Sequence, residues 1–331
     1  MFSTNLAHLC IAELMSAVTF SLKDVAEPSL LNISIPKTEK KGKIYSKIEG
    51  KGKAHYHYID AITAVLSGFI YAINPYLPLI LSIIISGFAC LVSLLFEEIE
   101  EEDDDVKIIG VKEQLTNLKD SFKYIFKSKR LKSLMIYSGI TWGFMCLMSE
   151  YRESILKDLG ASSQIMGTMS AIFGIVAGIA SKKQVQFHNK FRNRSLAVIT
   201  ISCSIVMIIT GLIAISGIPF WPAVILIILL GIIGKSDGAM NNILVDRYLG
   251  NFTNKEIISK IYAANSMARN LMRMLIGMLG SWLIGVTTSA NAMLLVGGIF
   301  LVISIVLVIY MKPRVGLKPE EYKKEEISLE V

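Results

Sequence analysis

Apolar residues run along this chain in blocks, not in alternation. Nine stretches are long and apolar: about Leu6 to Leu22, Tyr58 to Asn74, Leu77 to Phe96, Leu134 to Glu150, Gln164 to Ala180, Ser195 to Ser216, Phe220 to Val245, Tyr262 to Gly285 and Ala292 to Met311. A helix of about 20 apolar residues crosses the roughly 30 Å hydrocarbon layer. Only helices and closed barrels satisfy their backbone there, and the alternation of a barrel strand is missing. The pattern predicts an all-α membrane protein, a polytopic bundle of about nine spans.

The polar interruptions divide those spans. Residues 1–96 hold three spans, a partial N-terminal bundle. Residues 97–132 form a charged linker. Residues 133–312 hold six spans, and 313–331 form a tail. The linker opens on an acidic run, Glu97 to Asp105. Val111, Leu115, Leu118, Phe122 and Ile125 then recur at helical spacing with lysines between them. That spacing predicts an amphipathic helix lying at a membrane surface.

Charge sets the orientation. Lys23–Lys53 and Lys107–Lys132 carry eight Lys and Arg each, and Lys182–Arg194 and the tail from Lys312 carry five each. The turns Asn74–Pro78, Gly217–Pro219 and Thr287–Asn291 carry none. Alternation of basic and uncharged connections is the positive-inside pattern, so the C-terminus is expected in the cytoplasm and the protein in the inner cell membrane. The net charge of +7 is accounted for by these loops, so nucleic-acid binding is not expected. Charged residues at 18% lie below the soluble average of about 25%. Cys10, Cys90, Cys146 and Cys203 all fall in apolar blocks, without metal or disulfide spacing. Residues 1–5 lack a basic residue and Glu13 interrupts the first block, so no signal peptide is expected. Nine is an odd number of spans, which leads to the expectation of further spans upstream.

Several segments carry a family resemblance. Ile59-Asp60-Ala61, Ser67-Gly68 and Asn74-Pro75-Tyr76-Leu77-Pro78 resemble the fifth span, outer turn and sixth span of the major facilitator superfamily. Tyr248-Leu249-Gly250-Asn251 to Ser259-Lys260 resembles the loop after its tenth span. The chain thus looks like spans four to twelve of twelve. Lys182–Arg194 keeps the basic character of the family's second glycine-rich loop but not its pattern, and Ser67-Gly68 stands where drug–proton antiporters carry a Gly-Pro and paired glycines. The resemblance implies secondary active transport of a small solute by alternating access between two bundles, with proton coupling. The alternative is a truncated remnant, or a subunit that needs the missing spans. Neither an enzyme nor a cofactor is expected, and no oligomer is required.

The candidate residues are the polar ones inside apolar blocks. A charge at mid-membrane costs roughly 2.5 to 3.5 kcal/mol on insertion scales and faces protein or water. Glu13, Glu150, Lys235, Asp237, Arg269 and Arg273 mark the first, fourth, seventh and eighth spans, whereas the third, sixth and ninth carry no charge. Lys235 and Asp237 are two apart and cannot neutralise each other on a helix. Asp237 shares a face with Asn241, and Lys235 with Asn242. These four and Glu13 are candidates for substrate binding or coupling. The rival reading makes Lys235 a snorkelling side chain and Asp237 the ion-pair partner of Arg269 or Arg273. Asp246, Arg269 and Arg273 are candidates for a cytoplasmic gate, or surface anchors. Trp142 and Asn265 are candidates for a cavity wall, or packing. Glu150, Arg152 and Glu153 are expected to be solvated near the outer surface. Met145, Met148, Met240 and Met274 suit an adaptable apolar site, which favours amphipathic compounds and efflux. His55, His57 and Asp60 lack zinc or acyltransfer context and are expected to be interfacial. No nucleotide-binding glycine signature occurs, and no metal site is expected.

Overall fold

A computed structural model describes residues 41–95, 122–253 and 258–315 except 313, with isolated positions 11, 15 and 19. Among the described residues the regular structure is helical: α1 (Lys41–Ile73), α2 (Leu77–Ser93), α3 (Lys129–Asp158), α4 (Ser163–Phe191), α5 (Ser195–Ile215), α6 (Phe220–Asn251), α7 (Ile258–Val286) and α8 (Ser289–Met311). They answer to eight of the nine expected spans. The stretch Leu6 to Leu22 lies outside the described residues apart from Ile11, Met15 and Thr19, which are helical. Six helices are long and apolar enough to cross a membrane, and α2 is a shorter apolar helix. The fold is that of an all-α membrane protein.

Local chemistry places the turns. Asn74 Oδ1 accepts from the Tyr76 backbone N–H at 2.9 Å, turning the chain between α1 and α2. After α3, the Ala161 N–H donates to the Leu156 carbonyl and the Gly160 N–H to Lys157. Gly160 supplies the positive φ of 89° that this closure requires. Ser162 at once caps α4 by accepting from the Ile165 N–H. Ser128 and Thr288 cap α3 and α8 in the same way. Hence α3, α4 and α8 begin where the sequence offers a side-chain oxygen, and α3 ends at a glycine turn.

Several helices outrun the apolar blocks. α4 continues through Lys182, Lys183 and Lys190, a stretch expected to be a loop, and stops at Phe191. α3 continues past Glu150 to Asp158. The backbone bonds of a helix do not need apolar side chains, so hydropathy marks a span and not the helix. Of the linker helix, residues 122–127 are described and helical, with Ile125 buried in the core. Val111, Leu115, Leu118 and the acidic run lie outside the described residues.

Three close pairs organise the packing: α1 with α4, α5 with α8, and α3 with α7. Glycine decides each approach. A Cβ on Gly68 would lie 2.7 Å from the Ser163 carbonyl, so α1 and α4 touch backbone to backbone. A Cβ on Gly211 or Gly297 would come within 2.9 to 3.0 Å of the partner backbone where α5 meets α8. Along α3, Gly139 and Gly143 meet Met272 and Ile276, and Leu147 meets Gly280, so α3 and α7 run parallel. Without a hydrophobic drive between helices in lipid, such close approach is the main source of their attraction. α3 is the most enclosed helix, in contact with α5, α6, α7 and α8.

Candidate functional site

The buried polar groups of the bundle gather between α3, α5 and α6. α3 and α6 are antiparallel: Met148 packs on Gly234, Met145 lies level with Gly238, and Tyr137 reaches Asn241. The Tyr137 hydroxyl donates to Asn241 Oδ1 at 2.8 Å and lies 2.8 Å from Thr200 Oγ1 on α5. One turn before Asn241 lies Asp237, only 5% exposed. Its Oδ2 has no hydrogen-bond partner among the described residues. Ser202 of α5 lies within reach of the same carboxyl group. The structure therefore keeps Asp237 and Asn241 on one face, as the spacing requires, and turns that face inward. Asn265 of α7 is also buried, with Oδ1 unpartnered.

A second polar face is more open. Trp142 and Cys146 of α3 are half-buried, and Glu150 is exposed. The Arg269 guanidinium lies 4.3 Å above the Trp142 ring and donates through Nη2 to Asn242 Oδ1. Arg273 Nη2 lies 3.7 Å from Glu150 Oε1. Lys235, half-buried on α6, stands within electrostatic reach of Cys146, and so do Arg269, Arg273 and Glu150. Three helices thus bring Trp142, Glu150, Lys235, Asn242, Arg269 and Arg273 to one face. Arg269 and Arg273 sit one turn apart and reach Trp142 and Glu150 on α3 and Asn242 on α6. Asp246 stands nearer the lysine-rich end, where its backbone carbonyl accepts from Tyr262 Oη at 2.8 Å. Glu13 lies outside the described residues.

One residue is not where the sequence reading placed it. Arg152, expected at a solvated surface, is 2% exposed. Its guanidinium lies 4.4 Å over the ring of Phe173 on α4. Nη2 donates to Ser149 Oγ at 3.0 Å, while Nε and Nη1 have no partner among the described residues. The signal was present in the spacing. Leu134, Tyr137, Thr141, Met145, Met148, Arg152 and Ile155 recur every three or four residues, and all are buried. Glu150 and Arg152 are two positions apart and point to opposite sides of the helix. Proximity to other charges had suggested solvent, whereas helical phase puts Arg152 on the core face.

A shallow groove of about 350 Å³ lies between α1 and α4 near the lysine-poor end. Ser67, Gly68, Tyr71, Glu153, Gly167 and Met169 are among its walls. Among the described residues no cluster of three or more His, Cys, Asp or Glu could hold a metal ion. His57 stands at the α1–α4 contact, its carbonyl facing Gly174.

Residues 59–277 match the model of the Major Facilitator Superfamily. The chain is also 24% identical over 260 residues to an uncharacterized MFS-type transporter, YxaM, of Bacillus subtilis (strain 168). That alignment covers 74% of this chain and 60% of the relative's length.

Proposed function

Because the chain belongs to the major facilitator superfamily, a family of membrane transporters and not of enzymes, we propose that it moves a small solute across a membrane by alternating access. The single observation that carries this reading is the polar face of α3, α6 and α7. Glu150 and Lys235 lie on α3 and α6, two of the six helices apolar enough to span a bilayer, and Arg269 and Arg273 of α7 stand within electrostatic reach of the same face. Ionisable side chains at such positions line solute or ion paths. Multi-pass insertion follows from the six apolar helices and the family; the inner membrane and a cytoplasmic C-terminus rest on the lysine pattern.

The division into a partial N-terminal bundle, residues 1–96, and a C-terminal bundle, residues 133–312, belongs to the same reading. Solute would sit near the midplane against Trp142, Lys235 and Asn242. Asp237, buried with an unpartnered oxygen, is the candidate for proton coupling, with Asn241 and Asn265 beside the interior polar cluster. Asp246, Arg269 and Arg273 form the candidate cytoplasmic gate. Export of amphipathic compounds is the direction favoured by the methionines Met145, Met148 and Met240.

The test is solute-dependent proton movement. The 331-residue chain is reconstituted in proteoliposomes with an imposed proton gradient, and a panel of small solutes is added. Dissipation of the gradient by at least one solute, lost in Asp237→Asn at equal protein content, is the expected outcome. A panel that moves neither protons nor solute overturns the reading.

A further inference from the structure

Arg152 is a cation of the bundle interior, 2% exposed. Phe173 and Gly231 show how deep it lies. Phe173 is ten residues from the first residue of α4, and Gly231 eleven from the first of α6. At 1.5 Å per residue both lie roughly 15 Å along their helices, half the hydrocarbon thickness. Arg152 lies on one face of the Phe173 ring, and Gly231 meets the ring at its edge, where any side chain would overlap it. Gly231 leaves the room that the ring occupies, and the stacked guanidinium keeps Nε and Nη1 unpartnered among the described residues.

A buried cation of this kind requires a negative partner. Leaving one uncompensated costs several kcal/mol. The cation–π contact with Phe173 offsets only part of that. Ser149 satisfies one N–H of five. Lys235 lies on the same face of α6 as Gly231, one turn along, and within electrostatic reach of Arg152. Glu153 and Asp60 also reach Lys235, but both are exposed. Two cations therefore face each other in the interior while the nearby acids sit at its rim. The walls around them are apolar: Phe173, Met148 and Met169.

We propose that Arg152 and Lys235 together seat a carboxylate, so that the cargo is a monocarboxylate with an apolar body. This rests on the transport reading of the same bundle. A carboxylate satisfies one edge of a guanidinium with two parallel hydrogen bonds, and Glu153, the acid within electrostatic reach of Arg152, is exposed and makes no such contact among the described residues. The groove between α1 and α4 gives the approach: its wall includes Glu153, next to Arg152, and Met169, one turn before Phe173.

The probe is sodium benzoate, with benzamide as its neutral isostere, titrated calorimetrically into the purified full chain in detergent at constant ionic strength. Benzoate is expected to bind saturably, and benzamide at least about tenfold more weakly, since a charge-assisted hydrogen bond is worth about 1.5 to 3 kcal/mol. Lys235→Gln is expected to weaken benzoate by a similar factor and leave benzamide unchanged, and Lys235→Arg to retain benzoate binding. Lys235 is chosen because Arg152→Gln leaves a hole in the core and can fail to fold. Equal binding of benzoate and benzamide, or no benzoate binding, or indifference to Lys235→Gln, overturns the proposal. Transport of a neutral or cationic solute without benzoate binding would sink the carboxylate seat alone. Benzoate binding without movement of any solute would sink the transport reading alone.

Discussion

Tyr137 and Asn241 meet across the antiparallel pair α3 and α6, the hydroxyl donating to the amide oxygen at 2.8 Å where neither side chain reaches solvent. The contact joins the helix that carries Trp142, Glu150 and Arg152 to the helix that carries Lys235 and Asp237. It holds the two polar faces in register.

Tyr137→Phe removes that donor and leaves Asn241 with a buried, unpaired oxygen. The expected cost is about 1 to 3 kcal/mol. Thermal or denaturant unfolding in detergent measures it. A double-mutant cycle with Asn241→Ala should show coupling above about 0.5 kcal/mol. Strict additivity would mean that the bond does not organise the pair.

Arg269 is bound by shape as well as charge. It stacks on Trp142 and hydrogen-bonds to Asn242 at the same time. A lysine cannot do both. Arg269→Lys is therefore expected to lower transport about as much as Trp142→Ala does, by roughly tenfold if about 1 to 1.5 kcal/mol is lost. Initial rates at equal protein content check this. Unchanged rates in both variants would reduce the stack to packing.

The α1–α4 contact can be trapped. A Cβ on Gly174 would lie 3.3 Å from the Ala61 Cβ, a few tenths of an ångström short of the roughly 3.5 Å at which disulfide geometry begins, which a small outward shift of α1 supplies. In a background without the native cysteines, Ala61→Cys with Gly174→Cys should crosslink rapidly under mild oxidation. Adding Gly167→Val should abolish the crosslink, because a side chain there meets the Ala64 carbonyl at 2.5 Å. Crosslinking that survives Gly167→Val would place α1 elsewhere.

Tyr151 tests the α3–α7 pair. Its hydroxyl donates to the Gly280 carbonyl at 2.8 Å, and a Cβ on Gly280 would lie 2.5 Å from Leu147 Cδ1. Gly280→Ala should destabilise by about 1 to 3 kcal/mol through overpacking. Because the obstacle is the end of a flexible side chain, Leu147→Ala should recover part of that loss. A Gly280→Ala protein as stable as the parent would argue against this packing.

The helices were legible in the chain because lipid imposes long apolar runs, and the turns because Asn74, Gly160 and Gly217 announce them. The ends were less legible. α4 continues through Lys182 and Lys190 because its backbone bonds close regardless of side-chain polarity. Among the candidate residues, the shared face of Asp237 and Asn241 followed from helical spacing. The pairing of Arg273 with Glu150 did not, because it depends on α3 and α7 lying parallel, which local pattern does not encode. Arg152 was misplaced for a different reason: three charges in four residues read as surface when averaged, and only the phase of the helix separates them.

The bare contact between α1 and α4 has a mechanical consequence. Interlocked side chains make helices hop from one register to the next, because each knob must leave its hole. At Gly68 and Gly167 the touching surfaces are carbonyls, amides and α-carbons. Along that stretch the surface is a smooth bearing, while Lys182 Nζ, donating to Tyr58 Oη at 3.1 Å, ties the two helices side chain to side chain farther along.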